Sequence, residues 1–497
     1  MTAQKAIIIG SGVAGLAAAI RLAVEGMQVS VYERNASPGG KISHFEKEGF
    51  RFDAGPSLFT QPQNIEALFA LAGEPIGEYF TYRPVDMSCK YFYGNGKVIN
   101  AYADKTKFAA ELETKAGEKK GALEKYLGRS AKLYNHIGAV FLDHSLHKTS
   151  TWLHPRIIRA LRSVRLPYLF SSLAAYNKNN FTSDEAIQLF NRYATYNGSD
   201  PYQAPGMLSL IPHLEQNEGT FYPDGGMISI AHALYRLAVK KGVQFYFNTP
   251  VERIIHTEGK IHGVVAGNSN VPATVVVSNA DVYFTFKELL GHQAKAKKLL
   301  KQERSSSALI FYWGINRAEP RLGLHNIFFT NDYRHEFDCI FKKGQLSRDP
   351  TIYINITSKM EHGHAPAGKE NWFVMINAPG NTGQDWEKLK RQARQNIIEK
   401  LNRMLETDLE KMIETEESAD PVLLEKNTGS FRGALYGSSS NSKMAAFVRP
   451  ANFTSFVKGL YFCGGSVHPG GGIPLCLKSA KITAAIIKKD LGKSAPH

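Results

Sequence analysis

Ala6-Ile7-Ile8-Ile9-Gly10-Ser11-Gly12-Val13-Ala14-Gly15, followed further on by Val29-Ser30-Val31-Tyr32-Glu33, is the stretch that decides the fold. The β-branched run before Gly10 is what a strand buried on both faces requires. Residues 16–23, rich in Ala and Leu, predict a helix, and 29–33 a second strand ending in an acid. Strand, G-x-G-x-x-G, helix, strand, acid is the order of a dinucleotide-binding unit. Gly10 makes the tight turn, Gly12 lets the backbone approach a pyrophosphate, and Gly15 lets helix and strand pack closely. Ser11, Val13 and Ala14 complete the turn, and the helix start offers free N–H groups and partial positive charge to the phosphates. Glu33 can accept from both hydroxyls of an adenosine ribose and would repel a 2′-phosphate, which argues against NADP. Glycines also cluster in turns for purely steric reasons; the flanking strands, the helix and the acid set this one apart.

The next segment distinguishes the cofactor. Arg34-Asn35-Ala36-Ser37-Pro38-Gly39-Gly40-Lys41 resembles the double-glycine continuation of the flavoproteins that include amine oxidases, protoporphyrinogen oxidases and carotenoid desaturases. Gly39 and Gly40 permit close approach to a cofactor, and Lys41 offers it a phosphate or ring partner. Phe52-Asp53-Ala54-Gly55-Pro56-Ser57 resembles the D-x-G-P segment that this superfamily places beside the flavin. Near the other end, a short strand through Cys463 leads into Gly464-Gly465-Ser466-Val467-His468-Pro469-Gly470-Gly471-Gly472-Ile473-Pro474 and a helix over 475–488. Such a turn presents a second helix start, suited to the electron-rich edge of a flavin ring. The H-P-G-x-G-I-P string looks like the C-terminal signature of bacterial-type phytoene and related carotenoid desaturases. His468 is the catalytic candidate, against the plainer reading of a packing histidine. Cys463 could form a covalent flavin thioether; a buried inert thiol is the better reading, so the FAD is expected to be non-covalent.

Further resemblances lie between. Residues 219–231 match an aromatic-Pro-x-Gly-Gly segment leading into a helix over 228–240, and 243–254 read as strand, turn, strand. In the family the residue matching Val251 presents its backbone to the adenine, and 275–281 resemble a V-S-N-A-D strand end that includes Asn279. The expected class is α/β: a Rossmann-like FAD-binding domain from blocks 1–74, 216–289 and 441–497, plus a mixed-sheet α+β substrate domain from blocks 75–215 and 290–440 with a helical membrane-facing part. Strands are expected over 309–313, 351–356 and 372–376, and an amphipathic helix over 386–404.

Composition sets limits. The 497 residues are too many for one compact core. The net charge of +15 could favour nucleic acid or an anionic membrane, yet no nucleic-acid-binding signature is present. Cys89, Cys339, Cys463 and Cys476 lack metal spacing and cannot form a disulfide framework, so no metal and a reducing compartment are expected. A strand beginning at Ala6 leaves no room for a signal peptide, and no apolar run is long enough for a membrane span. Segment 152–166 carries Arg156, Arg159, Arg162 and Arg165 with no acid, opposite Ile157, Ile158, Leu161 and Val164, and runs into Pro167-Tyr168-Leu169-Phe170. It reads as a basic amphipathic helix, for which a membrane interface and an ordinary surface are both open. The expected location is cytoplasmic with peripheral membrane contact.

The resemblance covers residues 7–487 and implies an FAD-dependent desaturase of acyclic carotenoids. Hydride would pass to flavin N5 and a proton leave the adjacent carbon, with oxygen or a quinone as final electron acceptor. The whole chain leans toward the branch acting on the 3,4-bond of 1-hydroxylated carotenoids; phytoene and C30 dehydrosqualene desaturation are alternatives. A hydroxylated end would need a polar partner, for which Asn197–Tyr202 are candidates. Amine or protoporphyrinogen oxidation and non-redox carotenoid isomerisation are the remaining rivals.

Overall fold

The computed structural model describes residues 4–153, 155, 157, 168, 170–442 and 448–492. Its first organising element is a five-stranded, all-parallel sheet in the order Leu460–Phe462, Val275–Ser278, Lys5–Ile9, Gln28–Tyr32, Gln244–Tyr246. Three distant parts of the chain therefore build one sheet. Both faces are covered, as the unbroken β-branched runs require. Ala6, Ile8, Val275 and Val277 pack into one core with helices Val13–Val24, Ile228–Lys240 and Ile473–Asp490. Ile7, Ile9 and Val276 face the opposite core, closed by the antiparallel sheet of Val251–Thr257, Lys260–Ala266 and Ser269–Pro272. Ala17, Ala18 and Ala19 are buried on the first helix, where small side chains let its neighbours come close.

The second element is a seven-stranded mixed sheet in the order Ile413–Ala419, Ser307–Ile315, Glu370–Ala378, Ile352–Ile356, His325–Phe328, Met87–Phe92, Val98–Tyr102. Neighbours are antiparallel except His325–Phe328 with Met87–Phe92, which run parallel. Helix Trp386–Leu405 covers one face through Trp386, Leu389, Ala393, Ile397, Leu401 and Leu405, the spacing of a helical stripe. Asp385 caps it by accepting from the Lys388 N–H at 3.0 Å. Helices Lys105–Ala116, Ala122–Leu133 and Asp184–Asn191 gather beside the Met87–Phe92 and Val98–Tyr102 pair around a second aromatic core.

The helix over 228–240 falls where the sequence places it. Two strands run longer than expected, Ser307–Ile315 instead of 309–313 and Glu370–Ala378 instead of 372–376. Their added ends are polar yet satisfied inside: Ser307 Oγ donates to the Gly433 carbonyl at 2.7 Å, and Glu370 accepts from Trp372 Nε1 at 2.8 Å. Composition alone reads such residues as loop. The last helix begins two residues early, at Ile473, with Pro474 in its first turn. The strand before it ends at Phe462, so Cys463 opens the turn instead of closing the strand. Most of the basic segment over 152–166 lies outside the described residues. Among the described residues no helix is long and apolar enough to cross a membrane.

Candidate active site

Strands Lys5–Ile9, Val275–Ser278 and Leu460–Phe462 are adjacent and parallel, so the segments that follow them meet at one edge of the sheet. Ligands of open α/β sheets bind outside this carboxyl edge. Three sequence-predicted groups come together there: the turn from Gly10 to Gly15, Asn279, and the turn at Gly464-Gly465. Asn279 is the link. Its N–H donates to the Ile9 carbonyl at 2.9 Å and its Nδ2 to the Gly10 carbonyl at 3.4 Å. A β-carbon on Gly12 would stand 2.9 Å from Asn279 Nδ2, and one on Gly464 would stand 2.6 Å from Asn279 Oδ1. On Gly15 it would stand 2.1 Å from the Gly10 carbonyl oxygen. Side chains are thus excluded at Gly12, Gly15 and Gly464, where the Asn279 side chain and the Gly10 carbonyl already fill the space.

Both helices that start here, Val13–Val24 and Ile473–Asp490, follow glycines, Gly12 and Gly472, that supply no side-chain cap, and neither has an acid in its first turn. Asp104, Ser172, Ser183 and Asp420 cap other helices of the molecule. Two helix starts, with N–H groups of the first turns lacking side-chain acceptors, fit an anionic ligand.

Glu33 ends the second strand in a buried position. Its Oε2 accepts from the Ser11 N–H and hydroxyl, both at 2.8 Å, and Oε1 accepts from the Asn35 N–H at 2.9 Å. A carboxylate has about four acceptor sites, so one is left for a further donor. Residue 249 donates its N–H to the Glu33 carbonyl at 2.9 Å, and Asn248 to that of Asn35 at 3.1 Å, which sets Val251 close to the acid. Gly39 donates to the Ser11 carbonyl at 3.0 Å, and a β-carbon on Gly40 would lie 3.2 Å from the Gly12 α-carbon. The double glycine therefore lies directly on the first turn.

The two basic residues of this stretch are engaged with backbone. Lys41 Nζ donates to the carbonyls of Leu435 at 2.7 Å and Ala434 at 3.3 Å, and burial pushes its pKa down. Exposed Arg34 donates to the Lys426 carbonyl at 2.9 Å. Both tie the cradle to the 421–435 stretch of the chain. Gly55 presses on the same backbone, since a β-carbon there would meet the Lys41 carbonyl oxygen at 1.8 Å. Residues 54–58, with Pro56 and Ser57, remain partly accessible although Phe52, Asp53 and Phe59 around them are buried.

His468 is buried, with Nε2 at 2.9 Å from the His144 carbonyl, and its own carbonyl accepts from Asn452 Nδ2 at 2.8 Å and Ser479 Oγ at 2.9 Å. Burial lowers its pKa to about 4, so the ring is neutral and Nε2 donates. The Cys463 thiol is buried 3.8 Å from Asn279 Oδ1, with its pKa pushed up by desolvation. Sequence reading missed Asn452 and Arg449, which hold this turn from beneath; Arg449 donates to the carbonyls of Tyr436 at 3.0 Å and Gly465 at 3.3 Å. Neither carries a motif. It also missed Tyr353, whose hydroxyl lies 2.7 Å from Ser57 Oγ. The alternation Ile352-Tyr353-Ile354-Asn355-Ile356 signals two unlike strand faces and could have found it.

The family model described as flavin containing amine oxidoreductase matches residues 13–301, and that described as FAD dependent oxidoreductase matches 181–484. A 1-hydroxycarotenoid 3,4-desaturase of Flavobacterium sp. is 49% identical over 97% of this chain and 99% of its own. A 4,4'-diapolycopene oxygenase of Methylomonas sp. is 33% identical over 98% and 99%, and a phytoene desaturase of Fusarium fujikuroi 31% over 98% and 90%. Putrescine oxidase bound to putrescine shares the fold, with TM-score 0.64 at 14% identity over 98% of this chain and 99% of that one. So does an oxidoreductase from Methanosarcina mazei, with TM-score 0.62 at 17% identity over 98% and 100%. The chain therefore belongs to the flavin-containing amine oxidoreductase family, among its carotenoid desaturases, and is an FAD-dependent oxidoreductase.

Proposed function

We propose that the protein desaturates an acyclic carotenoid, removing two hydrogens from the 3,4-bond of a 1-hydroxylated chain to lengthen its conjugated polyene. The observation that carries this reading is the 49% identity to a 1-hydroxycarotenoid 3,4-desaturase along essentially the full length of both chains. FAD, held non-covalently, supplies the two-electron acceptor for a hydride, while a proton is lost from the neighbouring carbon. The chain's own residues bind and orient. Gly10–Gly15 and the first turn of Val13–Val24 take the pyrophosphate, Glu33 the ribose, Val251 the adenine, and Gly464, Gly465, Gly472 and Ile473 the ring edge. Gly39, Gly40 and Gly55 bring backbone against the cofactor, with Arg34 and Lys41 fixing that backbone in place.

His468 serves as a positioning residue that pins the C-terminal turn to the backbone at His144. In this reading blocks 1–74, 216–289 and 441–497 form the FAD domain, and 75–215 and 290–440 the substrate domain. The opposing sheet packs Ile310, Tyr312, Phe373 and Met375 in one apolar cluster with Ala54, a surface suited to keep water from the reacting carbons once substrate is bound. The substrate's solubility in hydrocarbon calls for contact with a membrane surface. Leu153, 77% exposed, and Phe170, 62% exposed, flank the arginine-rich segment and are suited to insert there.

The test is incubation of the FAD-loaded enzyme with liposome-borne phytoene, lycopene and a 1-hydroxylated carotenoid, with oxygen and then a quinone as acceptor. Loss of two hydrogens with a red-shifted spectrum, greatest for the hydroxylated chain, is expected. A product of unchanged mass from every substrate would defeat the reading and point to isomerisation.

A further inference from the structure

The seven-stranded sheet has two unlike faces. One presents Leu309, Phe311, Ile352, Ile354, Trp372 and Val374 to helix Trp386–Leu405 and is closed. The other follows the register Tyr91, Ile327, Tyr353, Met375 straight across four strands. Tyr91 and Ile327 are buried in the second aromatic core, whereas Tyr353 and Met375 stay partly accessible although they sit mid-sheet, so the face borders internal space at these two residues. Segment 54–57 lies across it: Tyr312 Oη reaches the Ala54 carbonyl at 3.5 Å, and Ser57 Oγ lies 2.7 Å from Tyr353 Oη. The same segment abuts Lys41, one residue from the double glycine that rests on the first turn.

Substrate geometry narrows where a hydroxyl partner must be. With carbon–carbon bonds of about 1.5 Å, an oxygen on C1 lies roughly 3–5 Å from the C3–C4 bond. Its partner therefore sits within one further hydrogen bond of the reacting carbons, beside the flavin and not at the far end of the cavity. Asp200, Tyr202, Arg192 and Glu215 are already engaged. Asp200 accepts from the Tyr202 N–H and Gln203 Nε2, while Tyr202 is covered by the Arg334 guanidinium at 4.1 Å. Buried Arg192 and Glu215 are bonded to each other and to Tyr91, Tyr193, Tyr196 and Gln216.

The polarity of Tyr353 is fixed by its neighbours. Asn355 Nδ2 donates to the Leu324 carbonyl at 3.1 Å, which sets the amide orientation, and the same nitrogen lies 3.2 Å from His325 Nδ1. An amide nitrogen only donates, so His325 Nδ1 is an acceptor. Tyr353 Oη, 2.8 Å from Nδ1, therefore spends its proton on His325 and turns lone pairs toward Ser57 and the open space. Burial keeps His325 neutral, with its pKa lowered to about 3, so the arrangement is stable across the working range.

We propose that Tyr353 Oη and Ser57 Oγ bind the 1-hydroxyl of the substrate, both offering lone pairs to its proton while the Ser57 proton stays on Tyr353, and so set the preference for a hydroxylated over an unhydroxylated chain. This rests on the desaturase reading above. A hydrocarbon end would take neither bond, and a site built to pair a hydroxyl discriminates strongly against its absence.

The experiment uses FAD-loaded wild type, Tyr353→Phe, Ser57→Ala and Ser57→Thr, each offered a 1-hydroxylated carotenoid and its unhydroxylated counterpart of equal length in liposomes. Binding is read by quenching of protein fluorescence, turnover by product formation, and flavin content and melting on the same samples. Wild type should bind and turn over the hydroxylated chain in preference. In Tyr353→Phe and Ser57→Ala the ratio should fall about tenfold, through Kd and KM for the hydroxylated chain, while Ser57→Thr keeps it. Should Tyr353→Phe fail to fold, the serine pair carries the test. A wild-type ratio near one, or ratios in the phenylalanine and alanine variants within twofold of wild type, would overturn the assignment. Absence of any desaturation with a clear binding preference would instead overturn the desaturase reading and leave the hydroxyl site standing.

Discussion

The parallel sheet and the seven-stranded sheet reach their ends by different means. Around Asn279 the parallel sheet works with backbone: glycines at 12, 15, 40 and 464 clear space, and two helix starts carry no side-chain cap. Around Tyr353 and Arg192 the other sheet works with side chains, in which the Arg192 guanidinium lies over three tyrosine rings and is paired with buried Glu215. A phosphate-bearing cofactor asks for N–H groups and close approach, which any sequence with the right glycines supplies. A mostly apolar substrate asks for shape and a few placed polar atoms, which many different residues can supply.

If that contrast holds, damage to the two regions should differ in kind. Gly12→Leu should have the largest effect, a colourless protein without FAD, because a side chain there would collide with Asn279; stoichiometric flavin absorbance in that variant would break the comparison. Arg192→Met should leave Glu215 buried and unpaired and cost about 3–5 kcal/mol in urea unfolding. Arg192→Met with Glu215→Leu should recover much of that loss, and a deficit no smaller than in the single variant would deny the pairing.

Stability should also depend on pH through buried histidines. Burial holds His468 and His364 to about 4 and His325 to about 3, against about 6.5 when unfolded. Between those values the unfolded chain binds protons that the folded chain refuses. Stability is therefore complete above about pH 6.5 and falls as pH drops toward 4, by on the order of 2 kcal/mol for His468 itself. A urea midpoint that stays flat from pH 7 to 4.5 would contradict this.

Glu33→Ala should weaken FAD binding about tenfold or more without conferring affinity for NADPH, as read by flavin titration. Unchanged affinity would remove the ribose role. Smallest of all, Asp385→Ala should cost about 1 kcal/mol at the cap of the sheet-covering helix while flavin content stays at wild type. A loss of flavin in that variant would show the two regions to be more tightly coupled than their packing implies.

Much of the cradle was legible beforehand because each of its requirements is local. Gly10–Gly15 and Glu33 lie within one strand–helix–strand unit, and the helix over 228–240 follows directly on the Gly225-Gly226 turn. The strand pairs of the second sheet were seen only in part, since Ser307, Glu370 and Asn371 look like loop until their buried partners are known. Arg449 and Asn452 were invisible for a related reason: no repeated pattern marks their partners, whereas the alternation around Tyr353 showed its strand face but not its partner Ser57.

From its residues in order, then, this chain declares a nucleotide-binding unit, an uncapped helix start beside a Gly-rich turn, and the alternating or continuous apolar runs that become strands. Those are consequences of covalent geometry, side-chain volume and periodicity, and they act over a few residues. Which turns meet at Asn279, which face of the second sheet stays open, and which tyrosine proton points to which histidine were settled by packing alone. Contacts of that kind depend on side chains hundreds of residues apart filling the same space, and no short stretch of sequence contains that information.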